Sequence, residues 1–285
     1  MPQSLSLIEC PRDAMQGIAH PIPTELKIRY LNQLLRVGFD VLDFGSFVSP
    51  KAVPQMADTA AVLAGLDLSG TNTKLLAIVA NLRGATEACS HAAIDYLGYP
   101  FSISETFQQR NTHKSIADSV DLVREIHTLC SATGKELVVY ISMAFGNPYG
   151  DEWHAGVAEK WVNEMVEMGI RTIALADTVG SADPASIESL FGALIPRFPG
   201  VSFGAHFHAH PLARHDKLQA AWEQGCRRFD AALNGFGGCP FAEDELVGNI
   251  STQSLLAFLE KEKVETRINA DALAAAEQIA IEVFG

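Results

Sequence analysis

The chain has 285 residues, 48% of them hydrophobic and 19% charged, which is enough apolar material for a large core in one domain and too much for a disordered or fibrous protein. Its formal net charge of −13, with no clustered basic stretch, excludes nucleic acid or an anionic membrane as the main partner. Five cysteines, widely spaced and odd in number, suit a reducing compartment better than a disulfide scaffold. With no basic-then-apolar leader and no membrane-length apolar run, the expected setting is the cytoplasm.

In chain order, residues 5–9 form a short apolar run stopped by Cys10-Pro11, so a first strand ends there and Arg12-Asp13 falls in the following loop. Pro23-Thr24-Glu25 starts an amphipathic helix over 26–37, closed by Gly38. Residues 39–44 read as a second strand, followed by an irregular loop over 45–51 and a helix over 55–66. Strands follow at 75–79 and 94–97, then a long helix at 115–132 ending at Gly134, a strand at 136–142 and a helix at 156–168 stopped by Gly169. Three further units repeat the alternation: strand 172–175 with helix 185–194, strand 201–206 with helix 212–223, and strand 228–233 with helix 252–260. A terminal helix spans 270–283.

Eight strands alternating with helices in units of roughly 30 residues predict an α/β fold, a (β/α)₈ TIM barrel, as a single domain over 1–285. An open doubly wound sheet is the rival, but a glycine-rich fingerprint after the first strand is absent. In a barrel the chemistry sits at the carboxyl ends of the strands. That rule brings forward Glu9, Arg12 and Asp13 after strand one, Asp43 and Ser46 after strand two, and Asp177 and Thr178 after strand six. Strand seven delivers His206 and His208, and strand eight delivers Asn234, the loop 235–239 and Asn249.

His206 and His208 share one strand face, because side chains alternate across the pleat with a period of two. With Asp13 they make two nitrogens and one carboxylate, a set that suits a divalent cation and leaves positions open for substrate. Asn249 could add a carbonyl oxygen. Oxygen ligands favour Mg²⁺ or Mn²⁺; imidazoles also admit Zn²⁺ or Co²⁺. Arg12 beside the aspartate is a cation for a developing enolate or carboxylate, and Lys51, Arg83, Arg110 and Lys114 could form a phosphate-attracting rim. Cys239, between Gly238 and Pro240 in a glycine-rich loop, reads as a chemically active thiol, with Cys10 as a rival better explained by packing.

The segments Glu9-Cys10-Pro11-Arg12-Asp13-Ala14-Met15-Gln16, Ser46-Phe47-Val48-Ser49-Pro50-Lys51, Asp177-Thr178-Val179-Gly180, Gly237-Gly238-Cys239-Pro240-Phe241-Ala242 and Gly248-Asn249, in this order, resemble the hydroxymethylglutaryl-CoA lyases. The resemblance runs along almost the whole chain. It implies retro-Claisen cleavage of 3-hydroxy-3-methylglutaryl-CoA to acetoacetate and acetyl-CoA, and a place in leucine breakdown. By matching motif positions, Asp13, His206, His208 and Asn249 would hold the divalent ion, and Arg12 would stabilise the enolate. Cys239 would protonate that carbanion, and Glu9, Asp43 and Asp177 would support the ligands or handle protons. The expected partners are a small-molecule acyl-CoA substrate and further copies of the chain in a homo-oligomer. Two departures from the family pattern are Ala209-His210-Pro211 after the histidines, where Asp-Thr-Tyr is usual, and Asn147 at a position usually held by cysteine. The alternatives are a related 2-oxo acid aldolase or acyl-CoA Claisen synthase on the same metal set, and a non-catalytic acyl-CoA-binding barrel.

Overall fold

The computed structural model describes residues 4–237 and 247–285. Eight parallel strands close into a barrel in sequence order: β1 (Ser6–Glu9), β2 (Val41–Ser46), β3 (Lys74–Ile78), β4 (Tyr96–Ser102), β5 (Glu136–Ser142), β6 (Thr172–Asp177), β7 (Ser202–Phe207) and β8 (Arg228–Ala231). Closure is made by β8 against β1, with Ser6 opposite Arg228 and Glu9 opposite Ala231. Helices α1 (Pro11–Gln16), α2 (Thr24–Leu35), α3 (Thr59–Ala64), α4 (Leu82–Ser90), α5 (Glu105–Thr112), α6 (Ile116–Ala132), α7 (Ala155–Glu167), α8 (Pro184–Arg197), α9 (Arg214–Glu223), α10 (Thr252–Lys261) and α11 (Ala270–Phe284) complete the order. The expected TIM barrel is therefore the observed one. No helix among the described residues is long and apolar enough to cross a membrane.

Strand alternation divides the core in two. Ile8, Cys10, Val41, Leu76, Ile78, Val138, Tyr140 and Ala174 pack inside the barrel. A much larger cluster, with Leu7, Phe44, Leu75, Val139, Ile173 and Phe203, lies between the sheet and the helices. Gly98 belongs to the interior. A Cβ there would come within 2.5 Å of Ile78 Cδ1 and 3.0 Å of Tyr140, so a residue that reads as a strand breaker is what lets the strand pass its large neighbours.

Several element boundaries differ from the sequence reading. Arg12 and Asp13 lie in the short helix α1, not in a loop, because Pro11 occupies the first helical turn where its missing N–H costs nothing. The fourth strand runs over Tyr96–Ser102, well beyond 94–97. Helices α4 and α5 were not expected. The sequence of α5, Glu-Thr-Phe-Gln-Gln-Arg-Asn-Thr, is almost wholly polar and shows no apolar period. It is set by its caps: Ser104 Oγ accepts from Phe107 N, while the Asp151 carboxylate accepts from Thr106 N at 2.9 Å and from the hydroxyls of Ser104 and Thr106. Asn147 builds the turn that presents Asp151, accepting from Tyr149 N and Asp151 N and donating to Asp151 O.

Candidate active site

The first turn after β1 folds back over the carboxyl end of the barrel. Arg12 is buried there with its fork on Asp43 of β2: Nε lies 3.0 and 3.2 Å from the two carboxylate oxygens, and Nη2 lies 2.5 Å from Oδ2. Its Nη1 donates to Asp13 Oδ1 at 3.0 Å and to Gln16 Oε1 at 2.9 Å. Of the five guanidinium N–H groups, one on Nη2 has no partner among the described residues. Burial pushes the Asp43 carboxyl up to about 6 although Arg12 pulls the other way. For Asp13 burial also works against the charge, but Arg12, then His206 and His208, and the Asn249 amide outweigh it and hold the carboxylate below its ordinary value.

Across the mouth, β7 ends with His206 facing inward opposite Ala176 of β6, and His208 lies one residue past the strand end. The returning segment before α10 lies against β7. His208 and Asn249 form an antiparallel bridge, Ala209 N donates to Gly248 O, and Ile250 N donates to Phe207 O. Asn249 Nδ2 then donates to Asp13 Oδ2 at 2.7 Å and to Phe236 O at 2.9 Å, which leaves its carbonyl oxygen to other partners. At Gly237 (φ +94°) a Cβ would sit 2.7 Å from Asn249 Nδ2 and 2.9 Å from Asp13 O. Only glycine lets this turn close over α1.

One ligand atom each from Asp13, His206 and His208 lies within 4.8 Å of the others, all three residues buried. Burial, with His206 second, lowers the His208 pKa to about 4, so this imidazole is neutral at physiological pH. For His206 burial is outweighed by a hydrogen bond and charge from Asp230, which raise its pKa.

The same architecture is found in characterised proteins. The HMGL-like family model matches residues 7–280. The chain belongs to the HMGL-like family. It is 31% identical over 275 residues to the hydroxymethylglutaryl-CoA lyase YngG of Bacillus subtilis, covering 96% of this chain and 91% of that protein. It is 33% identical to a 3-hydroxy-3-isohexenylglutaryl-CoA/hydroxymethylglutaryl-CoA lyase of Pseudomonas aeruginosa, covering 100% and 94%. Among solved structures, the Bacillus subtilis HMG-CoA lyase superposes with a TM-score of 0.92 at 30% identity, covering 100% of this chain and 95% of that one. An HMG-CoA lyase of Acinetobacter baumannii, solved with coenzyme A and 3-methylmalate, gives 0.91 at 31%, covering 99% and 92%.

This HMGL-like barrel has the donor set a divalent cation needs. Two imidazoles and one carboxylate held ionised converge, and His208 Nδ1 is buried without a hydrogen-bond partner among the described residues. A buried polar atom left in this way calls for a ligand. Beside the set opens a cavity of about 360 Å³ lined by Arg12, Asp13, Ser46, Lys114, Tyr140 and His206, among others, large enough for a small substrate group. Of the expected rim cations Lys114 reaches it, whereas Arg83 pairs with Glu87 on α4.

Two of the expected carboxylates are not brought to the set. Glu9 faces the helices, accepting from Leu233 N at 2.8 Å and Thr252 Oγ1 at 2.5 Å. Asp177 pairs with Lys217 at 2.5 Å on the helix side of β6. Both occupy outward positions of their strands, so they do not face the cavity and reach the ligand-bearing segments only through their backbone and neighbours. Asn234 also turns away, with a left-handed backbone (φ 60°) and its amide oxygen on Gln253. Cys239 lies outside the described residues. Cys10 is buried inside the barrel, and burial followed by the charges of Asp230, Asp43 and Asp13 pushes its thiol well up, which suits packing.

Sequence reasoning missed Arg228, Asp230, Gln16 and Lys217. The signal for the first two was present: Arg228-Phe229-Asp230 places two charges at a spacing of two in a strand, so both had to enter the same face. Lys217, inside an amphipathic helix, carries no such mark.

Proposed function

We propose that this chain cleaves 3-hydroxy-3-methylglutaryl-CoA to acetoacetate and acetyl-CoA in a retro-Claisen reaction that depends on a divalent cation, with Mg²⁺ or Mn²⁺ the favoured ions. The observation that carries the reading is the meeting of Asp13 and Arg12 from the β1 end with His206 and His208 from the β7 end at one cavity. When bound, the cation supplies Lewis acidity that lowers the pKa of a substrate hydroxyl. Asp13, His206, His208 and Asn249 are the residues to hold it.

In the reaction the C3 hydroxyl loses its proton, C3 becomes a ketone, and the electrons of the C2–C3 bond pass to the acetyl-CoA portion as a thioester enolate. A proton at C2 then gives acetyl-CoA. The remaining N–H of Arg12 is the donor for the enolate oxygen, and Asp43 fixes the guanidinium so that it needs no reorganisation. Asp177, with Lys217 on one oxygen and Ala182 N on the other, is not free to take the hydroxyl proton. Cys239, by its place in the Gly-Gly-Cys-Pro motif, is the residue to supply the final proton. The reading includes a reducing, cytoplasmic setting, supported by the free Cys10, Cys89, Cys130 and Cys226, and a role in leucine breakdown in a homo-oligomer.

The test is turnover of 3-hydroxy-3-methylglutaryl-CoA by protein stripped with a chelator and then resupplied with Mn²⁺ or Mg²⁺. Activity should vanish and return, and 2-oxo acids with acetyl-CoA should not react. Condensation of a 2-oxo acid in place of cleavage would overturn the substrate assignment. Cys239→Ala should lower turnover by orders of magnitude while Mn²⁺ binding persists.

A further inference from the structure

The barrel interior below His206 holds two charges that neither the motif match nor the proposed reaction uses. Asp230 and Arg228 of β8 both point inward and are almost wholly buried. Asp230 Oδ2 lies 3.1 Å from His206 Nδ1, and Asp230 Oδ1 lies 2.7 Å from Arg228 Nη1. The register of the two strands makes the pair: Gly204 stands opposite Arg228 and His206 opposite Asp230. Gly204 gives Arg228 its room, since a Cβ there would lie 3.0 Å from Nη1 and 3.2 and 3.3 Å from Cδ and Cγ.

From this ladder we infer that Asp230, itself held by Arg228, is the positioning residue that fixes the tautomer and ring orientation of His206 for the divalent cation. The inference rests on the metal-centre reading above. An imidazole whose Nδ1 donates to a carboxylate keeps its proton there and presents the Nε2 lone pair in one direction. The carboxylate must be ionised and buried to do this, and a guanidinium on its second oxygen offsets the burial. The T-shaped contact of Tyr140 with His206, ring centroids 5.5 Å apart, closes a further side of the ring.

A competing reading is a second metal site, because Cys10, His206 and Asp230 also offer ligand atoms within 4.8 Å of one another. Two features oppose it. Both Asp230 oxygens are engaged, and His206 Nδ1 is already bonded to one of them. The cluster is a support for the metal centre.

The experiment measures Mn²⁺ affinity of metal-free protein by electron paramagnetic resonance of the free ion, with circular dichroism to verify folding. Asp230→Asn should weaken Mn²⁺ binding by about 10- to 100-fold, the usual cost of losing such a partner. Turnover should be largely recovered when Mn²⁺ is raised to saturation. Asp95→Asn, at the amino end of the barrel where the carboxylate pairs with Lys74, serves as a control and should keep the affinity within about twofold. If Asp230→Asn does not fold, the Arg228→Met/Asp230→Asn pair removes both buried charges and should show the same loss. A folded variant that binds Mn²⁺ as tightly as the parent overturns the positioning role alone. A parent protein that does not bind Mn²⁺ overturns the metal-centre reading with it.

Discussion

Two sets of acidic side chains stand at the carboxyl ends of the strands, and they do opposite work. Asp43 and Asp230 point into the barrel: Asp43 holds Arg12, which reaches Asp13 on α1, and Asp230 holds His206 and Arg228. Glu9 and Asp177 point outward and brace loops. Glu9 takes Leu233 N on one oxygen and the Thr252 hydroxyl on the other, so a single carboxyl ties together both ends of the stretch that contains Asn249. Asp177 holds Lys217, whose Nζ also donates to Gly180 O at 2.9 Å and His208 O at 3.0 Å. Glu9 lies opposite Leu42, next in sequence to Asp43, so a shift of one residue in parity separates a loop brace from a site residue.

The sharpest way to test this division is to remove one of the inward histidines. His208→Ala should abolish Mn²⁺ binding and turnover, read by paramagnetic titration and by acetoacetate release, and retained metal would break the inward set. Breaking an outward brace should instead cost stability. Asp177→Asn leaves Lys217 buried without its counter-charge, and unfolding in urea should show a loss of about 3–5 kcal/mol. A smaller effect on Mn²⁺ affinity than on stability is the expected signature. Arg12→Met should retain the metal and lower kcat by about 10²- to 10³-fold; an equal loss of metal binding would show that Arg12 acts only by holding Asp13.

The smallest effect at neutral pH belongs to Glu9. Burial lifts its carboxyl from an ordinary value of 4.5 to about 8, against the hydrogen bonds from Thr252 and Leu233. The folded protein therefore binds this proton more tightly than the unfolded chain. The stability it contributes is complete below about pH 4.5 and is lost as pH rises through about 8. Glu9→Gln mimics the neutral acid, so its urea midpoint should fall less than that of the parent between about pH 5 and pH 9. Parallel pH profiles would mean that Glu9 is ionised in the fold, and the contrast between the two sets would narrow.

The order of the elements and the pairing of the histidines were legible in the chain. Alternating strand and helix patterns specify the barrel, and His206 and His208 face together because period two is a local property of an extended backbone. The Arg12-Asp13 pair was visible as chemistry but not as helix α1. Helix α5 was hidden because its stability comes from caps, one of them supplied by Asp151 from 46 positions beyond Glu105 at its start.

Tertiary structure decided which carboxylates share the site. Alternation says that neighbours face opposite ways, but not which way is inward. That is fixed only when one face packs on helices and β8 closes against β1, bringing Asp13 and Asp230 to the histidines of β7. Glu9, Asp43 and Asp177 are alike as letters in a strand end. Barrel closure makes one of them a partner of Arg12 and buries the other two behind the wall.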